Sequence, residues 1–210
     1  MRERVLATAK AMLEKGLVEG TSGNVSGRME DGTVCVTPSS IPYETMTLDD
    51  LVVVDLDGNV VEGERGPTSE KALHLACYRA FPEVGGVIHS HARFATMFAV
   101  VREAVPAAIE EVVVHVGGDV PVCEYRTTGT DELGDEVASR LGDRSAVLLA
   151  NHGMVTIGAS PEKALHVAGV VERTAEIVWG ARLLGTTHAL PEQVNKDFAN
   201  VYRYMRENGL

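Results

Sequence analysis

Two histidines one residue apart, His89 and His91, follow the apolar run 84–88. Side chains at positions i and i+2 of an extended strand leave the backbone on the same face, so both imidazoles can reach one point. A third histidine, His152, follows a second apolar run, 146–150. Three neutral imidazoles with a fourth position left open form the ligand set of a catalytic zinc ion. The spacing therefore predicts a metal site formed by these three histidines.

A structural role is the alternative interpretation for these residues. A lone histidine beside an apolar run is more often a core residue that hydrogen-bonds to the backbone than a metal ligand. Two buried imidazoles side by side, however, would each need a separate hydrogen-bond partner. The third histidine, which stands in a matching context, favours the metal site over the structural role.

Three short segments rich in glycine and hydroxyl groups could bind a phosphate. Glycines in the first segment, 20–24, allow consecutive backbone N–H groups to turn toward one anion, although the segment has neither a P-loop nor a GxGxxG pattern. Ser39 and Ser40 form the second segment. Thr68 and Ser69 form the third, at the start of a predicted helix whose free N–H groups favour anions. Each segment alone is typical of an ordinary turn, but together they could converge on one phosphate.

Glu70 is the carboxylate of greatest chemical interest, and we predict that it lies in the first turn of the helix that begins near Thr68. Its ordinary interpretation is a solvated glutamate that complements the helix dipole. If the start of the helix faces the metal, Glu70 becomes the nearby candidate for a general base or a fourth ligand. His74 lies four residues further on and could share this face, but a structural role is favoured for it.

The patterns of apolar, turn and capping residues predict one α/β domain that comprises residues 1–210. A polar loop is expected at 20–27 and a hairpin turn at 57–59. The predicted helices are 2–16, 68–80, 92–102, 130–141, 161–184 and 195–207. The predicted strands are 33–37, 51–55, a strand that ends at 89, 112–116, 120–123, 145–150 and 153–157. Because hairpins outnumber βαβ units, the sheet is expected to be mixed or antiparallel.

Composition and charge narrow the class of partner. The net charge of −11 argues against nucleic acid, which is bound by clustered lysine and arginine, but it does not exclude a small phosphorylated substrate. No apolar stretch is long enough to predict a membrane span, and the charged N-terminus predicts no signal peptide. The three cysteines are far apart and form no CxxC pair, which predicts a reducing compartment, by default the cytoplasm.

Five motifs in this order resemble those of the class II aldolase/adducin family, and the resemblance extends over nearly the whole chain. The motifs are 21–26, 37–43, 67–70, 87–92 and 151–153. The resemblance implies a three-layer αβα fold around a central, largely antiparallel sheet, and a homotetramer with active sites between subunits. It also implies zinc as the cofactor, with cobalt or manganese as possible substitutes.

The same resemblance implies a role for each matching residue. His89, His91 and His152 become the zinc ligands, and Glu70 becomes the acid/base that also contacts the metal in the resting site. The implied phosphate-binding residues are Gly23, Asn24, Ser39, Ser40, Thr68 and Ser69. The implied reaction is the retro-aldol cleavage of a ketose 1-phosphate into dihydroxyacetone phosphate and an aldehyde, with zinc as a Lewis acid.

The resemblance leaves alternatives open within the family. Epimerases that act on ribulose 5-phosphate resemble this pattern with Asp in place of Glu70, so Glu70 favours an aldolase. Glu111 stands where the aldolases carry a tyrosine, which leaves the aldehyde partner open, and Tyr202 or Tyr204 could supply a second tyrosine from the C-terminal helix. Other members are dehydratases or decarboxylases. Adducin heads keep the fold as an interaction module without catalysis, but the metal ligands and Glu70 argue against that class here.

Overall fold

A central sheet flanked by helices positions the residues that could do chemistry. The computed structural model describes residues 1–209. Within this part of the chain the α-helices are α1 Arg2–Glu14, α2 Lys71–Ala80, α3 Arg93–Val101, α4 Glu110–Val116, α5 Asp131–Leu141, α6 Pro161–Leu184 and α7 Glu192–Glu207. The strands are β1 Asn24–Arg28, β2 Val34–Val36, β3 Val52–Val54, β4 Val60–Glu62, β5 Gly86–Ser90, β6 Val122–Cys123, β7 Ala146–Leu149 and β8 Gly153–Gly158. None of these helices combines the length and the apolar character that a membrane crossing would need.

The eight strands form one sheet in the order β4-β3-β2-β1-β5-β8-β7-β6. Every neighbouring pair is antiparallel except β6 and β7, which are parallel. The expected largely antiparallel sheet is therefore confirmed. The hairpin turn expected at 57–59 is also confirmed, because it joins β3 to β4, and the Asp55 carboxylate accepts a hydrogen bond from the Asn59 N–H at 2.8 Å.

Alternating side chains on the central strands create a helix layer on each face of the sheet. On β5, Val87 packs in the cluster that contains α2 and α5, whereas Ile88 packs in the cluster that contains α1, α3 and α6. The same alternation separates Val147 from Leu148 on β7. The layers are therefore helix, sheet, helix, as the family resemblance implies.

The segment 20–27, expected to be a polar loop, instead contains most of the central strand β1. This strand pairs with β2 on one side and with β5 on the other. The prediction of a loop was therefore wrong. It rested on the glycines and polar residues of this segment, which favour turns and seldom occupy the interior of a sheet. Asn24 and Ser26 are nevertheless buried, and both side chains find hydrogen-bond partners on α2.

The segment 112–116, expected to be a strand, is most of helix α4. A run of valines favours a strand locally, but burial decides the outcome. Val112, Val113 and Val116 lie on one helical face and are all buried in the core. Gly117 ends the helix in the left-handed conformation, at φ +97°, which favours glycine.

The other predicted elements agree with the structure within a few residues. The difference at the start of α2 affects the site. Helix α2 begins at Lys71, so Glu70 occupies the capping position before the helix and not its first turn. A turn replaces that first helical turn, since the Lys71 N–H donates to the Thr68 carbonyl at 3.2 Å and the Glu70 N–H donates to Thr68 Oγ1 at 3.2 Å.

Gly86 at the start of β5 allows α6 to approach the sheet closely. A Cβ atom at this position would collide with the backbone of Ser160 and Pro161, where α6 begins. Backbone atoms cannot move aside as a flexible side chain can, so the contact requires glycine. It fixes the end of β5 that lies opposite His89.

We expect Gly86→Ala to lower the free energy of unfolding by about 1–3 kcal/mol, because the added methyl group forces strand and helix apart. Gly169→Ala is the matched control, since a Cβ atom there meets nothing within 4 Å, and alanine in this helix should stabilise the protein by up to about 1 kcal/mol. Urea unfolding of both variants checks this prediction. Equal stability of Gly86→Ala and the wild type would contradict the close contact.

Candidate metal centre

The structure brings the three predicted histidines together at one edge of the sheet. His89 lies on β5, His91 just beyond it, and His152 in the turn between β7 and β8. Because β5 and β8 are antiparallel neighbours, the end of β5 lies next to the turn that precedes β8. The ring centroids are 4.6 to 4.9 Å apart, and the ligand atoms all lie within 4.8 Å of one another.

The hydrogen bonds and burial of His89 prepare it to bind a cation. Its Nδ1 lies 3.0 Å from the carbonyl oxygen of Met154, which can only accept, so Nδ1 carries the proton. Burial lowers the pKa of His89 well below its ordinary value, so the ring is neutral and Nε2 carries a lone pair. That Nε2 lies 3.0 Å from His91 Nε2. A backbone carbonyl that fixes the tautomer in this way is typical of histidines that bind metals.

His91 is also held in its neutral form. Burial, followed by the repulsion from His152, lowers the pKa of His91. Neutral imidazoles are the form that binds a metal, because a proton on the ligand nitrogen competes with the ion.

Glu70 completes the cluster from the side of α2. Its carboxylate is buried, with Oε2 at 3.3 Å from His89 Nε2 and Oε1 at 3.7 Å from His152 Nε2. Oε1 has no hydrogen-bond partner. A buried carboxylate oxygen without a partner is costly unless a cation compensates it. Three neutral nitrogens and this unpaired oxygen therefore fit a divalent cation, and His89, His91, His152 and Glu70 are the residues that would hold it.

A line of buried polar side chains extends from Glu70 into the protein. Asn24 Nδ2 donates to Glu70 Oε2 at 2.9 Å, and Asn24 Oδ1 lies 2.5 Å from His74 Nε2. His74 Nδ1 lies 2.7 Å from Ser26 Oγ, which in turn lies 2.9 Å from the Tyr78 hydroxyl. The sequence did not predict this line as a whole, although the spacing of His74 and Tyr78, one turn apart on α2, indicates that they share a helix face.

The three segments expected to bind phosphate lie beside one another and next to Glu70. Ser39 donates from its N–H to the Gly66 carbonyl and from its hydroxyl to the Pro67 carbonyl, both at 3.1 Å. The Thr68 N–H donates to the Thr37 carbonyl at 3.1 Å. These bonds join the second and third segments.

The first segment is joined to the same region through Tyr43, whose hydroxyl donates to the Gly23 carbonyl at 2.6 Å. Gly23 has a φ of +73°, and a Cβ atom there would crowd Val18 and the His89 carbonyl, so glycine is required. The hydroxyl-bearing residues Ser39, Ser40 and Ser69 are exposed, as ligand-binding groups must be. Phosphate binding itself stays a prediction.

Glu111, which departs from the family pattern, and the candidate tyrosines Tyr202 and Tyr204 make other contacts. Glu111 on α4 faces Arg173, with Oε2 at 3.5 Å from Nη1. The Tyr202 hydroxyl donates to the Asp143 carbonyl at 2.8 Å and contacts Ser145 Oγ at 2.8 Å, at the end of β7 opposite His152. Tyr204 is exposed. Neither tyrosine contacts the histidine cluster of its own chain.

An open cleft beside His91 leads from the cluster to the surface. Its wall is formed in part by Met97, Val100 and Val101 of α3, all of which are exposed. Polar residues at the rim include Arg93 and Thr96. The cleft therefore makes His91 accessible from the surface of the single chain.

Comparison with known proteins gives similarities that extend over the site and the fold. The family described as class II aldolase and adducin N-terminal domain matches residues 3–179. A 5-deoxy-D-ribulose 1-phosphate aldolase from Bacillus thuringiensis serovar kurstaki is 35% identical over 96% of this chain and 94% of that protein. An L-ribulose-5-phosphate 4-epimerase from Salmonella paratyphi B is 35% identical over 100% of this chain and 95% of that protein. The solved structure of an L-fuculose 1-phosphate aldolase is similar with a TM-score of 0.91 at 35% identity, over 96% of this chain and 95% of that one.

We expect His91→Ala to lose the metal while the fold is retained, because only two of the three imidazoles remain. The wild type should keep about one divalent ion per chain after loading with zinc and desalting, measured by elemental analysis. His115→Ala is the matched control, since the His115 ring packs edge-to-face against His166 and is not among the clustered ligands. Full metal content in His91→Ala would remove His91 from the ligand set.

Proposed function

Because this chain belongs to the class II aldolase and adducin family, we propose that it is a zinc-dependent aldolase that cleaves a ketose 1-phosphate into dihydroxyacetone phosphate and an aldehyde. The observation that carries the proposal is the buried Glu70 carboxylate, which faces three clustered histidines and leaves Oε1 without a partner. Nitrogen and oxygen donors in this combination suit zinc, and they also accept cobalt or manganese. The substrate proposed is similar to L-fuculose 1-phosphate or 5-deoxyribulose 1-phosphate, on which the similar aldolases act.

In the proposed cleavage reaction, the metal and the Glu70 carboxylate have different roles. A divalent metal bound by the histidines supplies Lewis-acid stabilisation of the negative charge that develops on the substrate oxygens. Glu70 transfers the proton at the carbon that becomes nucleophilic, removing it in the synthetic direction and returning it after cleavage. Asn24 holds Oε2 through its hydrogen bond, so Oε1 is the oxygen that would contact the metal in the resting site and would be free to take up the proton once a substrate displaces it.

We infer that the substrate phosphate lies between the three hydrogen-bonded segments that contain Gly23, Asn24, Ser39, Ser40, Thr68 and Ser69. The hydrogen bonds among these segments support the inference, because they hold the segments, with the exposed residues Ser40 and Ser69, in fixed positions beside Glu70. Binding energy from the phosphate would then align the reacting carbon with the carboxylate.

A ribulose-5-phosphate 4-epimerase is the second candidate function. The similarity to an epimerase is as high in identity as the similarity to the aldolases and covers the whole chain. Retro-aldol cleavage followed by recombination would use the same metal and the same phosphate pocket. Glu70 favours the aldolase, since the epimerases that this site resembles carry Asp at that position.

We infer that the chain assembles as a homotetramer in which a second copy covers the cleft beside His91. The apolar side chains Val100, Val101 and Met97 are exposed there, and Trp179 and Leu183 of α6 extend the exposed apolar surface. Apolar side chains grouped beside a cleft are typical of a surface that another protein covers. A neighbouring subunit would then supply the residues that contact the aldehyde.

A cytoplasmic location is part of the same proposal. Cys35, Cys77 and Cys123 are all buried as free thiols. Burial raises the pKa of Cys35 to about 11 and the pKa values of the other two to about 12, so the reactive thiolate is not formed at neutral pH. Free thiols are typical of a reducing compartment.

The experiment that tests the function is a screen of the zinc-loaded enzyme against ketose 1-phosphates and L-ribulose 5-phosphate. We expect dihydroxyacetone phosphate to be released from at least one ketose 1-phosphate, measured by coupled reduction with glycerol-phosphate dehydrogenase. Epimerisation of L-ribulose 5-phosphate without release of dihydroxyacetone phosphate from any ketose 1-phosphate would support the epimerase. Failure of the metal-loaded enzyme to act on any of these sugars would contradict both functions.

We expect Glu70→Gln to keep the metal and to lose proton exchange at the donor carbon of dihydroxyacetone phosphate by a factor on the order of 10²–10⁴, because an amide cannot act as the base. Exchange is measured by NMR in deuterated water. Glu132→Gln, at an exposed position on α5, is the control and should exchange normally. Unchanged exchange in Glu70→Gln would place the base elsewhere.

A further inference from the structure

In the buried line behind Glu70, elementary hydrogen-bond chemistry fixes which group of each pair donates and which accepts. An ionised carboxylate can only accept, so the Asn24 atom at 2.9 Å from Glu70 Oε2 must be the amide nitrogen. Asn24 Oδ1 then faces His74 Nε2 and can only accept, so Nε2 carries the proton. His74 is fully buried, and burial lowers its pKa to about 3, so the ring is neutral and Nδ1 must accept.

The same reasoning assigns donor and acceptor in the remaining hydrogen bonds, from His74 to Tyr78. Because His74 Nδ1 is an acceptor, the Ser26 hydroxyl donates to it. Ser26 Oγ is then left to accept from the Tyr78 hydroxyl. Each donor in the line therefore faces toward Glu70, and each buried group has a partner of the opposite kind.

The fold supplies this arrangement from two elements. Asn24 and Ser26 lie on the same face of β1, and His74 and Tyr78 lie one turn apart on α2. The groups alternate between strand and helix, so each strand side chain is held by the helix side chain next to it. All four side chains are buried, with at most 4% of their surface exposed, so bulk solvent does not compete for these hydrogen bonds.

We propose that His74 is a positioning residue that fixes the Asn24 amide, and through it the Glu70 carboxylate. This inference rests on the proposed function, because it assigns His74 a role in proton transfer by Glu70. A primary amide can present either its oxygen or its nitrogen to a neighbour. The N–H of His74 Nε2 settles the choice, because it pairs with the Asn24 oxygen and leaves the nitrogen to face Glu70.

The orientation has a consequence for the carboxylate. With Oε2 held by Asn24, the carboxylate plane is fixed and Oε1 is directed toward His152, 3.7 Å away. Without the N–H of His74, the amide can turn its oxygen toward Glu70 and repel it. Loss of His74 should therefore impair the chemical step and leave the three metal-binding imidazoles in place.

The first test reads the tautomer without any assay of activity. Zinc-loaded protein labelled with ¹⁵N in its histidines is studied by NMR, with the His74 signals identified by their absence from His74→Gln. We expect a neutral ring with hydrogen on Nε2 and a bare Nδ1. A neutral ring with hydrogen on Nδ1 and none on Nε2 would overturn the proposal even if His74→Leu fails to fold.

The second test compares His74→Leu with His74→Gln. Leucine removes the N–H donor, whereas the glutamine amide nitrogen can replace it. We expect His74→Leu to lower kcat and the rate of donor-carbon exchange about 10–100-fold with unchanged zinc content, and His74→Gln to restore most of the loss. Thr174→Val is the control for loss of a buried hydrogen bond, since Thr174 bonds only within α6, to the Val170 carbonyl at 2.7 Å.

The outcomes separate this proposal from the proposed function. Equal loss of stability in His74→Leu and Thr174→Val with kcat unchanged in both would mean that His74 is only structural. A fall in kcat that glutamine does not restore would also contradict the role of the N–H donor. If instead the wild type shows no exchange and cleaves no sugar, the proposed function fails, and the tautomer of His74 still tests the hydrogen-bonded line.

Discussion

The structure of the site depends on one buried negative charge, the carboxylate of Glu70. Burial lowers the pKa values of His89 and His91, so these neighbouring imidazoles stay neutral and do not compensate it. Among the described residues, no lysine or arginine forms an ion pair with Glu70. The one hydrogen bond it accepts comes from Asn24 and reaches only one of its oxygens. A divalent cation among the histidines would supply the missing positive charge, which is why the carboxylate and the three imidazoles are best understood as one unit.

The fold supports this unit through a few specific placements. The antiparallel pairing of β5 with β8 sets His89 and His91 beside the turn that carries His152, and the Met154 carbonyl on β8 orients the His89 ring. Strand β1 lies on the other side of β5 and pairs Asn24 with His89. The buried polar side chains of β1 thus form hydrogen bonds with α2, and Asn24 holds Glu70 at the edge of the sheet that carries the histidines.

Much of the site could be predicted from the sequence, because its chemistry depends on short-range spacing. The His-x-His pair on a strand predicts two imidazoles on one face whatever the remaining fold, and the family resemblance places His152 and Glu70 with them. The family itself is confirmed by the match over residues 3–179 and by relatives 35% identical to the chain. The layered, largely antiparallel fold is confirmed as well.

What the sequence did not predict depends on tertiary contacts. Local preferences indicated a loop for β1 and a strand for α4, and packing overrode both: β1 is stabilised by partners on α2, and the valines of α4 are buried on one helical face. The line from Glu70 to Tyr78 was missed for the same reason, since Asn24 and Ser26 are separated from α2 by more than 40 residues.

The most direct test of the account is the absorption spectrum of the protein titrated with cobalt(II). We expect about one equivalent to produce d–d bands typical of a low-coordinate nitrogen and oxygen site. Dihydroxyacetone phosphate should shift these bands, because its oxygens would replace Glu70 as the ligand beside the three histidines. Inorganic phosphate should leave the bands nearly unchanged, since the phosphate pocket is formed by other residues. Failure to bind cobalt, or bands that do not respond to dihydroxyacetone phosphate, would contradict a metal centre that acts on this substrate.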